Sequence, residues 1–259
     1  MEYTADSFKD MIARSCVRKT LSAKSSKLPG TYLQYARADL SQGQSERCRV
    51  NAFSNAKRAL HCQVDILIKG IGANKLKDNK YSKFPGKIEL LQKCSIVSPA
   101  ILRRINALRN KLEHEYLVPS VEETETCLDV VELFLAATDK LINSFPEHAQ
   151  FADDYEDGLN SKRVAWIDCV SASGLLHARW KCLEVDEKAL SKEIRKEVSK
   201  LKDKESLTTI QEKRIRFKGL KTTAWDSVFS RLAVEGSVIV PVDSIDNYCS
   251  WVRLLLKAA

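Results

Sequence analysis

The run Leu108-Arg109-Asn110-Lys111-Leu112-Glu113-His114-Glu115-Tyr116-Leu117 gathers side chains that can hold a phosphate and move a proton. Arg109 carries a permanent charge with paired donors, His114 is of the type that titrates near neutrality, and Asn110 can both donate and accept. Cleavage of RNA by its own 2′-hydroxyl asks for such a set. A guanidinium offsets the extra negative charge on phosphorus as it becomes five-coordinate. An imidazole takes the 2′-hydroxyl proton or protonates the departing 5′-oxygen. An amide holds the imidazole tautomer. Glu113 and Glu115 can orient Arg109 or His114, or face solvent. Tyr116 is either a supporting hydroxyl or a core aromatic.

The run sits in a segment patterned as a helix, with Ile101, Ile105, Leu108 and Leu112 as its apolar stripe, Ser98-Pro99 at its start and Pro119 after it. Residues five apart on a straight helix lie about 140° apart around the axis, so Arg109 and His114 do not face the same way. Asn110 and His114, four apart, share a face. Two copies packed across this helix would bring both Arg and both His to one cleft.

The Arg-x4-His-x-Tyr spacing of Arg109, His114 and Tyr116, with Asn110 beside the Arg, resembles the HEPN superfamily in the form found in HEPN/MNT toxin ribonucleases. The resemblance covers about residues 31–145, and the remainder resembles no family. It implies a small helical bundle, a homodimer with a composite site, and a metal-independent endoribonuclease acting as a toxin or defence effector. An antitoxin or regulatory partner would hold it in check. Arg109, His114 and Asn110 are the expected catalytic residues, with Glu113 and Tyr116 in support. The alternative is a catalytically silent scaffold for dimerisation or nucleotide binding, its C-terminal part binding RNA or protein. Silent members usually lack the Arg or the His, and this chain has both.

Charge points the same way. Lys and Arg number 42 against 34 Asp and Glu, a net charge of +8 with a pI near 9.0. Lys188 to Lys218 alone holds eleven basic residues and five acidic ones. A basic stretch suits either a solvated helix face or a polyanion such as RNA. Lys192, Arg195, Lys196, Arg214 and Arg216 are the candidate phosphate contacts. The eight Cys are dispersed with no Cys-x2-Cys pair, which argues for free thiols in a reducing, cytoplasmic compartment and against a structural zinc. No metal and no cofactor are expected. No apolar run is long enough to span a bilayer, so no membrane partner is expected.

The elements that would position these residues follow from periodicity. Residues 1–30 read as an amphipathic piece and a Ser/Lys-rich linker. Tyr32–Leu40 reads as a short helix. Ser45–Lys69 reads as a long one with Val50, Phe53, Lys57, Leu60, Val64 and Leu67 inward. A helix around Lys87–Cys94 precedes the motif segment. Ser120-x-x-Glu123 is a capping box opening a helix to Asn143. Residues 31–145 thus read as an all-α bundle, which the resemblance makes HEPN-like. Residues 146–160 read as an acidic linker. Residues 161–259 read as an α+β domain: a hairpin over Val164–Val170 and Leu176–Val185, a helix over Asp186–Asp203, a helix around Trp225–Leu232, a strand over Ser237–Val242 and a last helix from Asp243. At their strand and helix spacings, Trp166, Trp180, Trp225 and Trp251 read as core residues.

Overall fold

The computed structural model describes residues 4–22, 28–76, 79–97, 100, 118–153, 163–170, 175–183, 187–202, 227–231, 233–240 and 244–259. In chain order the elements are β1 (Ile12–Lys19), α1 (Pro29–Ser41), α2 (Glu46–Gly70), α3 (Phe84–Lys93), α4 (Val121–Asn143), β2 (Phe145–Ala152), β3 (Arg163–Val170), β4 (Leu175–Leu183), α5 (Glu187–Lys202), β5 (Ala233–Ile239) and α6 (Ile245–Leu256). Short 3₁₀ turns lie at Ala5–Phe8, Ala73–Lys75 and Asn79–Ser82.

The expected separation into an N-terminal helical bundle and a C-terminal α+β domain is overturned. A strand comes first. The five strands form one antiparallel sheet in the order β1-β2-β3-β4-β5, so every strand lies beside its sequence neighbour. Helices α1 to α4 are the connection between β1 and β2. Leu21 N–H donates to the Ile142 carbonyl at 2.8 Å, closing that excursion where it leaves and rejoins the sheet. Residues 146–152, expected to be linker, are the strand that β1 and β3 both pair with. Phe134, Phe145, Ile167 and Trp251, drawn from both sides of the expected linker, belong to one cluster of buried side chains.

Sequence periodicity misses β1 for a physical reason. β1 is an edge strand whose pairing is irregular between Ala13 and Ser15 and again between Val17 and Arg18. Each shift resets the two-residue alternation on which strand recognition depends. Its partner residues lie more than a hundred positions downstream, so nothing local announces the pairing. In β2, Ala149 and Phe151 do alternate inward, but Pro146, Glu147 and His148 before them read as loop.

The long helices match their patterns. Ser45 caps α2 by accepting from Cys48 N–H at 3.3 Å. Gly72, at φ 77°, turns the chain away after α2. Phe53, Leu60, Val64 and Leu67 are buried as the α2 stripe requires, whereas Val50 in its first turns is 43% exposed. Ser120 and Glu123 complete their capping box at 3.0 and 2.9 Å. Between α2 and α4, Gln63 Nε2 donates to Thr138 Oγ1 at 2.9 Å, and Thr138 donates in turn to the Phe134 carbonyl at 2.8 Å.

The C-terminal helix fastens the helices to the sheet. Tyr248 Oη donates to the Ile71 carbonyl at the end of α2, and Cys169 Sγ of β3 contacts the Gly70 carbonyl at 3.2 Å. Trp251 is buried against Phe8. Burial raises the Tyr248 hydroxyl well above its usual range, and the neighbouring Cys169, Cys94 and Cys249 add to the shift. In β5, Gly236 faces the Trp180 ring so closely that a Cβ would lie 2.4 Å from it. No described helix is long and apolar enough to cross a membrane.

Candidate functional site

Arg109, Asn110, Glu113, His114 and Tyr116 lie outside the described residues, as do Arg214 and Arg216. Their flanks are well placed. α3 closes in a Schellman arrangement: Ser95 N–H donates to the Gln92 carbonyl and Ile96 N–H to the Leu91 carbonyl, at 2.9 and 3.0 Å. Ser95 takes the left-handed position, φ 58°, that glycine usually fills. On the far side, the Pro119 carbonyl accepts from Arg49 Nε at 2.7 Å, tying the return of the chain to the first turns of α2. The described chain before the segment is thus fixed at the end of α3, and Pro119 after it is fixed against the first turns of α2.

Lys192, Arg195 and Lys196 are exposed on α5. The helix also carries acids, and the structure removes two of them from the balance. Arg231 reaches Glu193 at 2.9 Å and Glu197 at 3.5 Å, and Lys200 reaches Glu197 at 3.3 Å. Among the described residues Lys192, Arg195 and Lys196 have no carboxylate partner. Lys188, Ser191, Lys192 and Arg195 line a shallow hollow of about 450 Å³. This face can meet phosphates as exposed point charges.

A concavity with a volume of about 780 Å³ runs along α2. Residues of α1, α2, α3 and the 3₁₀ turns after α2 line it. Arg58, Cys62, Asp65 and Lys69 lie on one stripe of α2 at spacings of four, three and four, the recurrence of a single helix face. Lys87 of α3 crosses to Asp65 at 2.6 Å, so that acid is matched. His61 is stacked on Phe84, ring centroids 3.9 Å apart and 13° from parallel, which fixes one wall. Tyr32, half-buried, contributes ring surface, and the buried Tyr81 lies at the lining. Burial and the neighbouring Asp65 raise the Cys62 thiol above its usual range. The sequence reading used only the apolar stripe of α2. The polar stripe opposite was legible, but no pattern in α2 reveals that other elements rise on both sides of it.

The open face of the sheet holds a second cluster that sequence reasoning missed. His148, Asp168 and His177 are successive cross-strand neighbours on β2, β3 and β4. His148 Nδ1 meets one Asp168 oxygen, and Arg179 Nη2 meets the other at 3.1 Å. A carboxylate facing Nδ1 selects the tautomer that leaves Nε2 as an acceptor. The Arg179 guanidinium also lies 6.0 Å from the Trp166 ring, so Trp166 is half-buried on this face rather than in the core. Trp180 packs on the core from its edge, Trp251 is buried, and Trp225 lies outside the described residues. Among the described residues, no group of three or more His, Cys, Asp or Glu is placed to hold a metal ion.

No family model, no curated protein and no solved structure matches this chain.

Proposed function

We propose that the protein is a metal-independent endoribonuclease whose chemistry is carried by Arg109 and His114, with Asn110 orienting the imidazole. The observation that carries this reading is the sequence Arg109-Asn110-x3-His114-x-Tyr116 itself, one cation, one titratable base and one orienting amide within a single short segment. The reading rests on that likeness to HEPN ribonucleases and on the chemistry of the residues, and borrows nothing from the bundle fold. The exposed cations of α5 support it, because a substrate bearing one negative charge per nucleotide is drawn to such a face.

In the proposed step the 2′-oxygen bonds to phosphorus and the 5′-oxygen leaves. One imidazole removes the 2′-hydroxyl proton and a second group returns a proton to the 5′-oxygen, giving a 2′,3′-cyclic phosphate and a 5′-hydroxyl. The need for a second proton-transferring group and the angular offset between Arg109 and His114 are met by a homodimer with a shared cleft. Arrest by an antitoxin-like partner fits a ribonuclease of this kind acting as a toxin or defence effector.

The test is incubation of the purified protein with RNA in excess EDTA. Cleavage with 5′-hydroxyl ends is expected, and Arg109→Ala and His114→Ala should each lose on the order of a hundredfold in rate or more. Cleavage of a strand lacking 2′-hydroxyls, or 5′-phosphate ends, would exclude the mechanism.

A further inference from the structure

We propose that the cavity along α2 is a binding site for a short run of single-stranded RNA, with Arg58 and Lys69 taking phosphates at its two ends. The proposal rests on the endoribonuclease reading and names where a substrate strand is held away from the cleaved bond.

The argument begins with the helix. Arg58 and Lys69 are eleven residues apart, just over three turns, so they share a face and are separated by about 16 Å along the axis. Both are exposed and both line the cavity. Among the described residues neither has a carboxylate partner; Arg58 donates only to the Asn55 side-chain oxygen at 3.1 Å. The acid between them, Asp65, is held by Lys87. The lining as a whole carries Lys57, Arg58, Lys69 and Lys87 against Asp65.

Length and volume decide what fits. Stacked nucleotides of one strand rise by roughly 3.4 Å, so about 16 Å accommodates several, whereas one phosphate group reaches only one of the two cations. The volume of about 780 Å³ exceeds what a lone inorganic anion fills. Tyr32, half-buried on α1, supplies ring surface beside the cations, the pairing of stacking platform and charge that single strands favour.

The experiment uses the full chain and a fluorescein-labelled single strand of about eight nucleotides, within the usual site size, carrying 2′-O-methyl groups so that 2′-attack cannot consume it. Affinity is read by anisotropy across a salt series. Each phosphate contact on a single strand contributes about 0.7 to the slope of log K against log salt, so Arg58→Gln/Lys69→Gln should flatten the slope by about 1.4 and weaken binding at least about tenfold at low salt. Lys140→Gln, on the exposed side of α4, should leave the slope unchanged. Circular dichroism confirms that each variant is folded. An unchanged slope in the double variant overturns the proposal, as does a parent protein that does not bind the strand. Competition by AMP at the strand's own dissociation constant also overturns it, since that marks a site for free nucleotides. If the strand binds through Arg58 and Lys69 but natural RNA is never cut, the nuclease reading fails and this site stands. If RNA is cut in EDTA while the double variant binds as the parent does, the nuclease reading stands and this site fails.

Discussion

Replacing Thr138 by Val should destabilise the protein, and removing its partner as well should restore much of the loss. Thr138 is 2% exposed and Gln63 5% exposed, so water does not reach their contact freely. Valine keeps the shape of threonine but lacks the hydroxyl. Gln63 Nε2 would lose its 2.9 Å acceptor and keep only the Leu135 carbonyl at 3.5 Å, the outer limit of a hydrogen bond. A buried donor left without a good acceptor costs about 1–3 kcal/mol, and the Phe134 carbonyl remains satisfied by the helix. For a chain of this size that corresponds to a fall in Tm of about 2–10 °C. Gln63→Leu/Thr138→Val removes both polar groups from an apolar interface, so its loss should be smaller than that of Thr138→Val alone. A four-member double-mutant cycle by urea denaturation, with Gln63→Leu as the fourth corner, gives the coupling directly. The reasoning is refuted if Thr138→Val is as stable as the parent, or if the double variant is no more stable than the worse single one.

Three further outcomes follow from local geometry. Gly236→Val should cost on the order of 1–3 kcal/mol, because its side chain must displace the Trp180 ring, and thermal unfolding followed by tryptophan fluorescence reads both the stability and the ring. Ser95→Gly should raise stability by about 1 kcal/mol, since the left-handed backbone at φ 58° strains any residue with a Cβ, and an unchanged denaturation midpoint would count against it. Burial pushes the Cys127 thiol up to about 12, so iodoacetamide at pH 8 should leave Cys127 unmodified in the native protein and alkylate it after unfolding; peptide mass spectrometry decides, and rapid native labelling would show that α4 is not packed as described.

The sequence by itself determined the parts that depend on neighbours a few residues away. The α2 stripe of Phe53, Leu60, Val64 and Leu67, the Ser120–Glu123 capping box and the β3–β4 hairpin are all local patterns, and each is present where the pattern put it. The chemistry proposed for Arg109, Asn110 and His114 likewise rests on residue type and spacing. Tertiary structure decided what joins those parts. That residues 12–19 pair with 145–152 depends on contacts across more than a hundred residues, and no local window carries them. The same holds for the row His148–Asp168–His177, which exists because three strands pair in one register. It holds again for the cavity along α2. A polar stripe on a helix faces solvent by default, and only the packing of α1 and α3 beside it turns Arg58, Asp65 and Lys69 into the wall of an enclosure.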